Sequence, residues 1–298
     1  MKRGVLYCTI FVFISMLLIP FVSAARDIEP VVSTDWLAKN MNNPKLVIVD
    51  IRKVEDYKTG HIPGAVNVFF NTWAVMKTGL RNEIPPLDDL ADIIGSAGIS
   101  PDSLVVVVGD ADLPPNRSGI TRVAWTLRYA GIENVAVLDG GYDKWKSDKK
   151  PLSTDAVKPK QTKYQVKVNE AIFAKKGHVI GAIGKAVIVD ARGADFYEGK
   201  QKLDFVAKAG RIKSAVNLPA MAAYNKDGTF KNRKELSDLA AKAVGTDTSK
   251  EIIVYCDTGR LCSVWVFIMS DVLGYKNVKS YDGSSEEWMK DPNAPTEP

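Results

Sequence analysis

Two cysteines, Cys256 and Cys262, lie in the segment Lys250 to Phe267, KEIIVYCDTGRLCSVWVF, and these thiols are the side chains best suited to nucleophilic chemistry. Ile252, Ile253, Val254 and Tyr255 form a short apolar run of β-branched and aromatic residues, the pattern of a buried strand. Cys256-Asp257-Thr258-Gly259-Arg260-Leu261 cannot continue that strand, and Gly259 supplies the backbone freedom that a tight loop needs. From Cys262 onward Val264, Trp265, Phe267, Ile268 and Leu273 recur at roughly helical spacing. Cys256 is therefore expected at a strand end, on a loop curled over a helix start. There several N–H groups and the helix dipole can converge on one anion, which favours a nucleophilic thiolate. Arg260 would add to that field, and Asp257 would oppose it if it pointed inward.

The elements that position this loop belong to an internal repeat. Val47-Ile-Val-Asp50-Ile-Arg52 matches Val187-Ile-Val-Asp190-Ala-Arg192, and Gly60-His-Ile-Pro-Gly-Ala-Val-Asn67 matches Gly210-Arg-Ile-Lys-Ser-Ala-Val-Asn217. The second copy carries an insertion around Gly199 to Ala209. Val135, Asp139, Gly140 and Trp145 likewise match Val278, Asp282, Gly283 and Trp288. Two domains follow, residues 27–150 and 164–298, joined by a linker over 151–163 that is rich in Pro, Lys, Ser and Thr. Strands are expected at Leu46–Val49, Val66–Val68, Leu104–Val108 and Val135–Leu138. In the second copy they are expected at Ala186–Val189, Ala215–Leu218, Ile252–Tyr255 and Val278–Tyr281. Helical patterns cover Ser33–Met41, Leu87–Ala97, Ile120–Ala130, Glu235–Val244 and Cys262–Leu273. This alternation predicts two α/β domains, each a mostly parallel sheet with helices on both faces. In such sheets the functional crevice lies at the strand C-terminal ends, where Cys256 falls.

Composition narrows the function classes. With 46% hydrophobic and 25% charged residues the chain has apolar mass for two cores. Lys2 and Arg3, an apolar run from Val5 to Val22, and Ser23-Ala24-Ala25 have the layout of a secretory signal peptide over residues 1–25. An uncleaved membrane anchor is the competing reading, and Cys8 inside the run is no lipid-attachment site. Export, to the periplasm, is the expectation. Loss of the leader would lower the net charge from +5 to +3, with no basic block to suggest a nucleic-acid partner. It would also leave Cys256 and Cys262 as the sole thiols, which read as chemistry rather than a fold-wide staple.

The motifs resemble those of the rhodanese family. Asp50-Ile-Arg52 followed by Gly60-His-Ile-Pro-Gly-Ala, the strand–Cys-x-x-Gly–helix loop, and Val137-Leu-Asp-Gly-Gly-Tyr-Asp-Lys-Trp145 occur in the family's order. Their doubling is similar to the tandem thiosulfate and 3-mercaptopyruvate sulfurtransferases, over about residues 28 to 290. The resemblance implies an exported sulfurtransferase in which Cys256 is the catalytic nucleophile. Cys256 would take a sulfane sulfur from a donor such as thiosulfate or a mercapto acid. A thiol, cyanide or a protein acceptor would then remove it from the resulting persulfide. Asp257, Thr258, Gly259, Arg260, Leu261 and Cys262 would form the substrate-binding loop, holding negative charge on their N–H groups. No cofactor or metal is implied, and a monomer is expected. The first copy, with Asp110 aligned opposite Cys256, would be catalytically silent, and Ala111 to Ser118 either lines the cleft between domains or is a solvated connection. The chain departs from the family pattern in three ways. Asp257 and Thr258 stand where thiosulfate-type loops carry basic residues, Phe196 stands where enzymes of carboxylate donors carry arginine, and Cys262 stands in place of a small residue.

Other residues read as structural. His61 is expected to hydrogen-bond its own turn, and His178 to lie on a polar surface, with no zinc spacing between them. Asp50 and Asp190 should each anchor a turn, and Trp36, Trp125 and Trp265 should be core. A cysteine phosphatase needs arginine six positions after its cysteine, where this chain has Cys262. A non-enzymatic sulfur carrier or thiol redox sensor using Cys256 and Cys262 is the alternative from another class. In the enzyme reading Cys262 points away from the cradle and modulates Cys256 through an oxidant-driven disulfide.

Overall fold

The computed structural model describes residues 26–298; the leader-like segment lies outside the described residues. The first repeat contributes β1 (Val31–Val32), β2 (Leu46–Asp50), β3 (Val66–Asn67), β4 (Val75–Lys77), β5 (Leu80–Glu83), β6 (Leu104–Val108) and β7 (Val135–Leu138). The second contributes β8 (Phe173–Ala174), β9 (Val187–Asp190), β10 (Arg211–Ile212), β11 (Val216–Asn217), β12 (Ile252–Tyr255), β13 (Val278–Tyr281) and β14 (Thr296–Glu297). Each repeat builds one five-stranded parallel sheet, in the orders β1-β7-β6-β2-β3 and β8-β13-β12-β9-β11. The two orders are equivalent, as a duplicated domain requires. Every strand expected from the pattern forms. The edge strands β1 and β8, two residues each, add a fifth to each sheet; they are too short to carry a periodic signal. Antiparallel hairpin β4–β5 and pair β10–β14 lie outside the sheets.

The central strands β6 and β12 are wholly buried, which is why they read as continuous apolar runs rather than alternating ones. Helix Pro114–Tyr129 follows β6 and begins six residues earlier than the apolar pattern predicts. Two prolines open it, at positions where their missing N–H groups cost nothing. Part of the segment Ala111 to Ser118, read as a loop, is therefore its first turn. In the second domain helix Ser263–Phe267 follows the cysteine loop and continues as a π-helical turn, Ile268–Leu273.

These two helices meet face to face, and the packing joins the domains. One hydrophobic core runs from Phe70, Trp73, Val123 and Trp125 of the first repeat into Val254, Trp265 and Phe267 of the second. Separate cores fill the outer face of each sheet, around Trp145 and around Trp288. Trp36 packs at the edge of the first, half-buried, while Trp125 and Trp265 are fully inside. The insertion of the second repeat reaches back across the molecule, and Arg81 lies over the Phe205 ring at 4.1 Å. Among the described residues no helix is long and apolar enough to cross a membrane.

Candidate active site

β12 ends at Tyr255, and two neighbours fix that end. The Tyr255 hydroxyl donates to Asp190 Oδ2 at 2.7 Å and accepts the Ile212 N–H at 3.0 Å. Asp190 in turn holds the buried Arg192, whose Nη2 reaches the Gly210 carbonyl at 2.8 Å; Asp50, Arg52 and Gly60 repeat the arrangement. Both aspartates thus anchor their own turns, as expected. His61 is buried, stacked on Tyr57 with Nδ1 3.0 Å from the Tyr57 carbonyl, and His178 is exposed beside Glu251.

After Tyr255 the chain curls through Cys256 to Cys262, and Ser284 ties the curl closed. Its Oγ accepts the N–H groups of Cys256 and Gly259, each at 3.1 Å, and donates to the Tyr281 carbonyl at 2.8 Å. It also lies 4.0 Å from Cys256 Sγ. The Gly259 N–H is therefore committed to Ser284 rather than to the cradle. Ser263 and Val264 N–H groups turn back to the Arg260 and Leu261 carbonyls. Those of Thr258 and Cys262 bond the Cys256 sulfur.

The first domain clamps the same loop from outside. Arg122, fully buried on helix Pro114–Tyr129, donates from Nη1 to the Gly259 carbonyl at 2.9 Å and from Nη2 to Asp282 Oδ2 at 3.1 Å. It also pairs with the Asn82 carbonyl, while Asn82 Nδ2 donates to Thr258 Oγ1 at 2.7 Å. Gly259 has φ +75°, and a Cβ there would lie 2.7 Å from the Asp282 carbonyl oxygen and 2.8 Å from Arg122 Nη1. Only glycine fits this crossing. The helix contact is completed by Thr121 Oγ1 and Ser263 Oγ, 2.8 Å apart. The sequence pattern points to none of Arg122, Asn82 or Ser284. The available signals were an arginine within the apolar stretch Ile120 to Trp125 and a serine matching Gly141 of the other repeat.

Each expected loop residue has a definite place. Asp257 faces its own domain, with Oδ1 3.6 Å from Arg192 Nη1; burial raises its carboxyl to about 6 against the pull of Arg192. Thr258 contacts Asn82, and Leu261 packs half-buried on the shared core. Arg260 crosses to the first domain, over the Phe70 ring at 4.0 Å with Nη2 on the Pro115 carbonyl. Burial and then Arg122 lower it to about 10, with the Cys256 charge acting the other way.

Cys262 departs from the expected placement. Its thiol turns toward the loop centre, hydrogen-bonding the Cys256 sulfur and lying 3.4 Å from Ser280 Oγ. The curl is tight enough that the residue capping the helix start faces inward. Burial would push the Cys256 thiol up, as the nearby Asp257 charge does. Hydrogen bonds from the Cys262 thiol and from the Cys262 and Thr258 N–H groups outweigh both, and bring it down to about 7. Cys262 moves the opposite way, pushed well up by burial and by its bond to Cys256.

The register also corrects the alignment of the first repeat. Asp50 pairs with Val108 and Asp190 with Tyr255, so Gly109, not Asp110, occupies the place of Cys256. Asp110 is the counterpart of Asp257, 4.0 Å from Arg52 as Asp257 is 3.6 Å from Arg192. Strand pairing to the neighbouring aspartate, not the length of the apolar run, sets the position. The corresponding loop of the first repeat carries no thiol.

A model of the rhodanese-like domain matches residues 33–148 and again 179–291. The chain belongs to the rhodanese family. Among relatives of this tandem rhodanese, a Mycolicibacterium smegmatis protein is 36% identical over 278 residues, 90% of this chain and 98% of that one; its name provisionally assigns thiosulfate sulfurtransferase activity. The sulfur carrier protein TtuD of Thermus thermophilus is 32% identical over 275 residues, covering 87% and 93%. Among solved structures, Escherichia coli SseA, described with the 3-mercaptopyruvate sulfotransferases, superposes with a TM-score of 0.74 at 27% identity, over 86% of this chain and 99% of that one. The anaerobic ergothioneine biosynthesis enzyme of Chlorobium limicola shares the fold, with a TM-score of 0.80 at 23% identity over 90% and 70%.

Proposed function

We infer that this sulfurtransferase carries the transferred sulfur as a persulfide on Cys256. The thiolate attacks the outer sulfur of a donor such as thiosulfate or a mercapto acid, and a thiol or cyanide acceptor then removes it. The observation that carries the reading is the Cys256 thiol, buried at the end of β12 with the Thr258 and Cys262 N–H groups turned to its sulfur and its loop clamped by Ser284 and Arg122. The same N–H groups suit the negative outer sulfur of a persulfide. Cys256 is 1% exposed, so the donor enters only when side chains around the loop part. Asp257 pairs with Arg192, which offsets part of the charge that this carboxylate presents to an anionic donor. Cys256→Ser tests the reading: turnover with small donors should vanish while the fold persists, and retained turnover would refute it.

A second reading, a carrier that hands persulfide sulfur to a protein, is favoured by the near-closure of Cys256 and by the likeness to the Thermus thermophilus sulfur carrier. Steady turnover with small acceptors separates the enzyme from the carrier. The leader-like segment supports export to the periplasm, and cell fractionation with and without residues 1–25 tests it.

A further inference from the structure

We propose that Cys262 is a resolving thiol, which closes a disulfide with Cys256 of the persulfide and releases the carried sulfur as hydrogen sulfide when no external acceptor intervenes. The inference rests on the persulfide reading above. Its basis is the juxtaposition of the two thiols. Cys256 and Cys262 are the free cysteines of the described residues, both buried, at the two ends of one closed loop. The Cys262 thiol is a hydrogen-bonding neighbour of the Cys256 sulfur and lies 3.4 Å from Ser280 Oγ. Otherwise it sits in the apolar core shared by the domains.

The step balances without an outside oxidant. The terminal sulfur of the persulfide takes the proton from Cys262 Sγ. The Cys262 thiolate then attacks Cys256 Sγ in line with the sulfur–sulfur bond. A Cys256–Cys262 bond forms, the bond to the outer sulfur breaks with its electron pair, and HS⁻ leaves. The sulfane sulfur gains two electrons, and each cysteine sulfur gives up one. A dithiol reductant, or two equivalents of a monothiol, returns the pair to free thiols. Burial keeps Cys262 protonated in the resting protein, so it does not compete with Cys256 for donor. It becomes a nucleophile only when a persulfide stands beside it to accept its proton.

The test is a single-turnover experiment on the full protein and on Cys262→Ser, which keeps a hydrogen-bond donor but cannot form the disulfide. Each is loaded with thiosulfate, freed of excess donor and left without acceptor. Released sulfide is then measured alongside the mass of the peptide spanning residues 250–267. The wild type should release sulfide in step with loss of the added sulfur and finish as a Cys256–Cys262 disulfide that a dithiol reopens. In Cys262→Ser the persulfide should last at least about tenfold longer, since an adjacent thiol acts at high effective concentration; Cys262→Ala gives the same reading if the serine variant folds poorly. A wild-type persulfide as long-lived as that of the variants overturns the proposal, as does sulfide release without a disulfide. If Cys262→Ser gains no sulfur at Cys256, the persulfide reading itself falls, and this inference with it.

Discussion

Arg122 lies in the domain that carries no cysteine, yet its replacement should damage the Cys256 loop. Arg122→Met keeps most of the side-chain volume and removes the charge. It leaves Asp282, 1% exposed at its side chain, without its cation, and leaves the Gly259 carbonyl without its 2.9 Å donor. Breaking a buried ion pair from one side costs about 3–5 kcal/mol. Asp282 retains the Ile84 N–H at 3.2 Å, which places the expected loss near the lower end. That is a large share of a domain's usual stability of about 5–15 kcal/mol. Loss of the Gly259 anchor also lets the cradle shift, and a small displacement of reacting groups lowers kcat/KM by about tenfold to a hundredfold. Urea unfolding and steady-state kinetics measure the two effects. Adding Asp282→Asn should restore part of the stability, because the stranded charge is gone, without restoring turnover. The reasoning fails if Arg122→Met loses less than about 1 kcal/mol and turns over normally, or if the double variant is no more stable than the single one.

Glu83 adjoins this clamp, and burial together with Asp282 raises its carboxyl to about 7. Folding therefore favours its protonated form, and its contribution to stability falls as pH rises from about 4.5 to about 7. Glu83→Gln should flatten that part of the pH–stability curve in thermal unfolding; an unchanged slope would refute the assignment. For Cys256, alkylation by a small haloacetamide should rise with pH to a plateau with its midpoint near 7, and Cys262→Ala should move the midpoint upward by removing a hydrogen-bond donor. An unmoved midpoint would mean that the Cys262 thiol does not hold the thiolate. Asp110→Ala should change kcat/KM by less than about twofold, because it contacts the first domain's own Arg52 and acts on no thiol; a loss comparable to that of Cys256→Ser would show that the first domain takes part in the chemistry.

Local pattern determined much of this molecule. The buried strands before the Cys256 loop and its counterpart, the duplicated Asp-x-Arg turns and the cysteine at a strand end are all set by residues close in sequence, and each is legible there. The clamp is not, because Arg122 and Asn82 reach the loop from another domain, 137 and 176 residues away from their partners. Ser284 reaches it from a neighbouring strand end. The inward turn of Cys262 depends on how tightly the loop curls, which spacing alone leaves open. Register misplaced Asp110 by one residue for the same reason: the pairing of β6 with β2 is a tertiary fact. Family resemblance singled out Cys256, while the residues that support its loop required the packed structure.

The central claim is that Cys256 carries the transferred sulfur. Peptide mass spectrometry of the protein after brief exposure to thiosulfate or a mercapto acid, with Cys262→Ser included to hold the intermediate, tests it most directly. The account predicts one added sulfur atom on Cys256, removed by cyanide and absent from Cys256→Ser. Sulfur transfer to acceptor with Cys256 unmodified throughout, or added sulfur found elsewhere in the chain, would contradict it.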